Sequence, residues 1–196
     1  KKYSDKKKVE FMSTPFDFES FKFLDEINVS KIKIASFDTV NTKFLKAMSV
    51  YNKEFIMSVG MSKLVEIKKA YKILNKNNKN KISLLHCISS YPTLEKDANL
   101  NCMQTLRKNF NCAIGHSDHT NDIFVPFCAV VMGARIIEKH FMIDEKMKCV
   151  DKPVSITENQ MLSLVKNIKR YEKALGNNIL GLRSTEKLTK GFRRFS

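Results

Sequence analysis

Six short apolar runs punctuate this sequence, and stretches with helical periodicity lie between and after them. The runs are VEFMST (9–14), KIKIAS (31–36), EFIMSVG (54–60), KISLLHC (81–87), CAIGHS (112–117) and ARIIEKHF (134–141). They are nearly continuous rather than strictly alternating, as expected of strands covered on both faces. In residues 17–27, Phe18, Phe21, Leu24 and Ile27 recur at every third position, and residues 41–51 and 62–74 carry similar stripes. The longest stripe, residues 157–175, opens on a capping Thr157 and closes at Gly176.

Strand–helix alternation implies parallel strands with right-handed crossovers. Six βα units occupy most of the 196 residues, whereas a complete eight-unit barrel takes about 250. The pattern predicts an α/β fold, a partial TIM (β/α)8 barrel made of strands 3–8. A doubly wound open sheet is the competing architecture. Its dinucleotide-binding form is weakened because no G-x-G-x-x-G follows the first run. Residues 1–176 are expected to form the barrel domain and residues 177–196 a basic linker.

No apolar run approaches the roughly 18 residues of a membrane span, and the start has no signal-peptide pattern. Lys1 and the KKYSDKKKVEF that it opens read as the interior of a longer protein. The net charge of +15 comes mostly from lysines scattered along helix faces, without an aromatic-interleaved ribbon. That pattern favours attraction of small anions over nucleic-acid binding. The five cysteines are odd in number, form no C-x-x-C and lie partly in apolar runs, as expected of reduced thiols in a cytoplasm.

In either architecture function gathers at the carboxyl ends of the strands. Those ends read Ser13-Thr14, Ser36-Phe37-Asp38, Ser58-Val59-Gly60, His86-Cys87 with Ser89-Ser90-Tyr91 beyond, His116-Ser117-Asp118-His119 and Glu138-Lys139-His140. Hydroxyls from several ends, with Lys33 inside an otherwise apolar run, suit a phosphate or carboxylate ligand. Neighbouring strands lie about 4.8 Å apart, so His119 and His140 at adjacent ends can reach one metal ion. Two imidazoles with open positions suit a labile catalytic divalent ion more than a closed structural zinc. His86 and His116 lack that placement and are read as structural.

The segments FMSTPFDFESFKFL, KIKIASFD, FIMSVGMS, LLHCISSYPT, GHSDHT and IIEKHF resemble, in order, the sialic acid synthase family. This family includes legionaminate and pseudaminate synthases and spore-coat polysaccharide synthases. The resemblance implies condensation of phosphoenolpyruvate with an N-acylated hexosamine such as N-acetylmannosamine. It implies phosphoenolpyruvate binding by Thr14, Lys33, Ser36, Ser58, Ser89 and Ser117, and a divalent ion (Mn2+ or Mg2+) held by His119 and His140. Asp38 would face the reacting sugar and Glu138 would support the metal-binding histidines from outside the ligand set, both as catalytic acids, and Tyr91 and Asp151 would help to bind the sugar.

The sequence also departs from the family pattern. Asp38 stands where the family usually has Glu, and Cys149-Val150 precede Asp151 where Gly-Pro is common. Two front strands, carrying a further acid and a lysine, are expected upstream, and a small antifreeze-like domain is expected downstream. The chain alone is therefore expected to be inactive or incomplete, and to work as a homodimer or in complex with a separately encoded front segment. A non-catalytic remnant or binding subunit is the alternative.

Overall fold

The computed structural model describes residues 1–76, 81–146 and 148–194. Its centre is a parallel sheet of five strands among the described residues: β1 (Lys31–Ile34), β2 (Glu54–Ser58), β3 (Lys81–Cys87), β4 (Ala113–Asp118) and β5 (Ile137–Lys139). Spatial order follows chain order without reversal. A doubly wound sheet requires a switch point where that order turns back. The architecture is therefore the expected partial (β/α)8 barrel.

Seven α-helices accompany the strands among the described residues: α1 (Lys2–Lys6), α2 (Phe18–Glu26), α3 (Thr42–Met48), α4 (Leu64–Leu74), α5 (Cys102–Asn109), α6 (Phe124–Val131) and α7 (Glu158–Leu175). Asp17 caps α2 by accepting from the Ser20 amide at 2.7 Å, and Asn41 caps α3 by accepting from Phe44 at 3.2 Å. Thr157 and Gln160 form a reciprocal capping box at the start of α7. Gly176 closes that helix at φ +61°, a left-handed value that favours glycine.

Residues 9–14, expected as the first of six strands, do not form one. They contribute only an isolated bridge from Ser13 to Ile32. Val9 and Met12 are exposed, so the run has little apolar surface to hold it flat against the sheet. Glu10 instead pairs with Lys31 at 2.7 Å. The expected run 134–141 shortens to β5, and Phe141 adds a separate bridge to Ile156.

Register sorts the two faces of the sheet. Ile32 stands opposite Phe55, Phe55 opposite Ile82, Ile34 opposite Met57, and Met57 opposite Leu84. These residues and Ile114 belong to the core cluster shared with Phe21 and Leu24 of α2, Leu45 and Met48 of α3 and Leu74 of α4, and the partly buried Ile137 packs against it. The main core thus lies between sheet and helices. The opposite, concave face carries Lys33, Ser58, Cys87, Ser117 and Glu138 at its carboxyl end. In β4, Gly115 permits close approach, because an added Cβ would meet the Ile136 carbonyl oxygen and Leu85. Beyond α7 residues 176–194 are exposed and make only short 3-10 turns at Ser184–Glu186 and Lys190–Phe192.

Candidate active site

Side chains alternate across a strand, and that alternation divides the strand-end motifs. In HSDH, Ser117 and His119 face the concave side, whereas His116 and Asp118 lie behind the sheet. In EKH, Glu138 and His140 face inward and Lys139 pairs with Asp118 behind. The inward residues line a cavity of about 350 Å³ at the carboxyl ends of the strands. Ten of the twelve predicted site residues line it: Thr14, Lys33, Ser36, Ser58, Ser89, Tyr91, Ser117, His119, Glu138 and His140.

The Lys33 side chain is 8% exposed. Its Nζ donates to Ser58 Oγ at 2.8 Å and to the Ile34 carbonyl at 3.1 Å, and Glu138 Oε2 stands 3.5 Å away. A buried ammonium needs such partners. Ser36 Oγ accepts from the Gly60 amide at 3.0 Å and lies 3.1 Å from Cys87 Sγ. A Cβ on Gly60 would stand 2.6 Å from Ser89 Oγ and 2.8 Å from Cys87 Sγ. Glycine there lets three strand ends converge.

At the rim, His119 Nδ1 lies 2.7 Å from the Ile88 carbonyl oxygen. That oxygen only accepts, so Nδ1 carries the proton and the Nε2 lone pair is left for a ligand. Burial, and then the nearby His140, lower the pKa of His119, outweighing the carbonyl and the acids Asp118 and Glu138, and so favour the neutral ring. The His140 ring lies 5.5 Å from that of His119, centroid to centroid, and the Tyr91 ring lies 4.1 Å from His119 and 5.7 Å from His140. Burial, with the neighbouring Cys87, Asp151 and Glu138, raises the Tyr91 pKa and keeps its hydroxyl protonated. Among the described residues no three His, Cys, Asp or Glu side chains form a metal cluster. Two imidazoles, one of fixed tautomer, nevertheless fit a divalent ion as a partial ligand set with open positions.

Two predicted site residues stand outside the cavity lining. Asp38 is buried in the 3-10 turn Ser36–Asp38, where Oδ1 accepts from Asn41 Nδ2 at 3.0 Å. That bond secures the turn into α3. Asp151 lies beyond the lining, with Oδ2 3.7 Å from His140 Nδ1. Asp118, which immediately precedes His119, is held by Lys139 at 2.7 Å. His86 and His116 are structural in their contacts. His86 Nε2 meets the Ala98 carbonyl at 2.8 Å, and His116 Nδ1 meets the His86 carbonyl at 3.0 Å.

A family model of the NeuB family matches residues 1–180. The chain belongs to the NeuB family. This NeuB-family chain is 42% identical over 177 residues to an uncharacterized protein of Methanocaldococcus jannaschii, covering 90% of this chain and 52% of that protein. It is 38% identical over 179 residues to the N,N'-diacetyllegionaminic acid synthase of Campylobacter jejuni, covering 90% of this chain and 54% of the synthase. Among solved structures it resembles the N-acetylneuraminic acid (sialic acid) synthetase of Leptospira borgpetersenii. The TM-score is 0.90 at 38% identity, covering 98% of this chain and 67% of that one. The chain spans about half the length of these two curated relatives.

The NeuB-family cavity also includes Phe16, Ala35, Phe37, Cys87 and Lys139, which sequence reasoning left without a role. Cys87 and Lys139 were visible as strand-end residues. Period-two alternation from Ser117 and Glu138 places Cys87 in the inner row; Lys139 falls in the other row, where its ammonium meets Asp118, and it borders the cavity between Glu138 and His140. Phe16 and Phe37 follow their strand ends in loops, where no periodicity orients a side chain.

Proposed function

We propose that this chain carries the phosphoenolpyruvate- and metal-binding part of a nonulosonic acid synthase, condensing phosphoenolpyruvate with an N-acylated hexosamine. The observation that carries this reading is the buried Lys33 ammonium, bonded to Ser58 in a cavity that Ser36 and Ser117 also line and two histidines rim. A fixed cation in a cavity lined by hydroxyls suits a small ligand bearing phosphate and carboxylate. The names of the Campylobacter and Leptospira relatives favour the same chemistry.

In this reading the carbon–carbon bond forms between C3 of phosphoenolpyruvate and the sugar aldehyde carbon. Water then adds at C2 and phosphate leaves with its bridging oxygen. Lys33, Ser58, Ser36, Thr14, Ser89 and Ser117 bind and orient the phosphorylated enol. Glu138 is the acid that reaches the cavity and takes part in catalysis. Tyr91 and Asp151 flank the sugar, and Asp38 acts through the turn that presents Ser36 and Phe37. His119 and His140 would hold a Mn2+ or Mg2+ ion, which supplies Lewis acidity toward a carbonyl oxygen.

Calorimetric titration with Mn2+ tests the histidine assignment. The chain is expected to bind saturably, and His119→Ala and His140→Ala are each expected to abolish binding. Equal binding by all three proteins would remove the site.

A further inference from the structure

On the helix-facing side of the sheet most rows are apolar, as in Ile34, Met57, Leu84, Ile114 and Ile137. At the carboxyl end of β4 and β5 that face turns polar. His116 and Asp118 succeed Ile114, and Lys139 succeeds Ile137. Lys139 Nζ lies 2.7 Å from Asp118 Oδ2, and both side chains are 1% exposed. The same ammonium donates to the Thr120 carbonyl oxygen. The Thr120 amide and hydroxyl donate to Asp118 Oδ2 at 3.2 and 2.8 Å, and His116 Nε2 lies 3.3 Å from Oδ1.

An apolar pair of similar volume often serves stability as well as a buried ion pair. What such a pair cannot supply is direction, and the direction here concerns the two rim histidines. Asp118 and Thr120 bracket His119, and Lys139 immediately precedes His140. His119 is tied on its other side to the β3 exit, where its carbonyl accepts from Thr93 at 2.9 Å and its ring donates to Ile88. The ion pair provides the matching tie toward β5.

We propose that Lys139 is a positioning residue that, through Asp118 and Thr120, fixes the backbone on both sides of His119 relative to His140. The two imidazoles are thereby held at their 5.5 Å separation for one shared ligand. This inference rests on the reading of His119 and His140 as a ligand pair. Groups outside the coordination sphere that orient metal-binding histidines typically contribute 10–100-fold to affinity.

The test compares the chain with the double variant Lys139→Met/Asp118→Asn, which removes both charges but keeps an acceptor for Thr120. Two quantities are read: Mn2+ affinity by calorimetry, and the His119 Nδ1–H resonance by NMR. The double variant is expected to melt cooperatively with unchanged amide resonances in β1–β3. Its Mn2+ affinity should fall about 10–100-fold, and the His119 resonance should shift or broaden. A folded variant with wild-type affinity and an unaltered His119 resonance would overturn the proposal.

Should the double variant not fold, Lys139→Arg carries the test. It keeps the charge but replaces the compact donor with a planar fork that cannot reproduce both contacts. A fall in affinity of about fivefold or more is expected there, and unchanged affinity with an unchanged resonance overturns the proposal. His119→Ala serves as the control. If it binds Mn2+ like the wild type, or if the wild type binds none, the ligand pair itself is wrong.

Discussion

Gly60 and His86 illustrate how single residues act on either side of the strand ends. The Cβ of Gly60→Ala would crowd Ser89, Cys87 and Ser36. The substitution is expected to weaken phosphate-ligand binding about tenfold or more, at about 1–3 kcal/mol of stability, measured by ligand titration and urea unfolding. His86 sits behind the sheet, and its pKa is lowered by burial, which outweighs its bond to Ala98. The unfolded chain therefore binds its proton more readily. Stability should be unaffected above the ordinary histidine value of about 6.5 and should fall as pH drops below it toward the folded value. His86→Phe should flatten that loss in melting curves recorded from pH 7 to 5, and an unchanged pH profile would contradict the account. At this scale much of the site was legible in the sequence. Lys33 between two isoleucines demanded a partner, and His119 and His140 stood at matched strand ends. Lys139 was harder to read, because a lysine beside a histidine looks solvated until its strand neighbour Asp118 is known.

Helix α7 shows an element specified by its ends. Thr157→Ala removes the hydroxyl that accepts from Gln160 at 3.3 Å and should cost about 1 kcal/mol in urea unfolding. A loss below about 0.2 kcal/mol would show that Gln160 caps the helix without it. The central strands and the helices with polar faces were readable because apolar runs and stripes set their type. Residues 9–14 misled because a β-rich run needs a covered face, and Val9 and Met12 have none. The helix α6, FVPFCAVV, is apolar all round, so periodicity does not separate it from a buried strand. Pro126 fits in its first turn, where no intrahelical donor is needed.

Among the described residues, five parallel strands curl without closing, so β1 and β5 are edges of this sheet. Ser13 covers β1 at one point, and the Phe141–Ile156 bridge lies just beyond β5. Exposed parallel edges favour pairing with another chain. Size-exclusion chromatography of residues 1–196 should therefore give dimers or larger species, and a monodisperse monomer would show that these edges are adequately shielded. The sequence conveyed a partial barrel, with one strand more than the described residues form, because unit spacing survives in a chain about half the length of its curated relatives. It did not convey that Lys139 meets Asp118, since that depends on register across the sheet. In the function proposed above, the strand-end cavity binds phosphoenolpyruvate through Lys33. Calorimetric titration of phosphoenolpyruvate into the chain and into Lys33→Gln tests it most directly. The account predicts saturable binding by the chain and a loss of at least about tenfold in Lys33→Gln, since hydrogen bonds to a charged group contribute about 1.5–3 kcal/mol. Equal binding by the two proteins, or none by either, would contradict it.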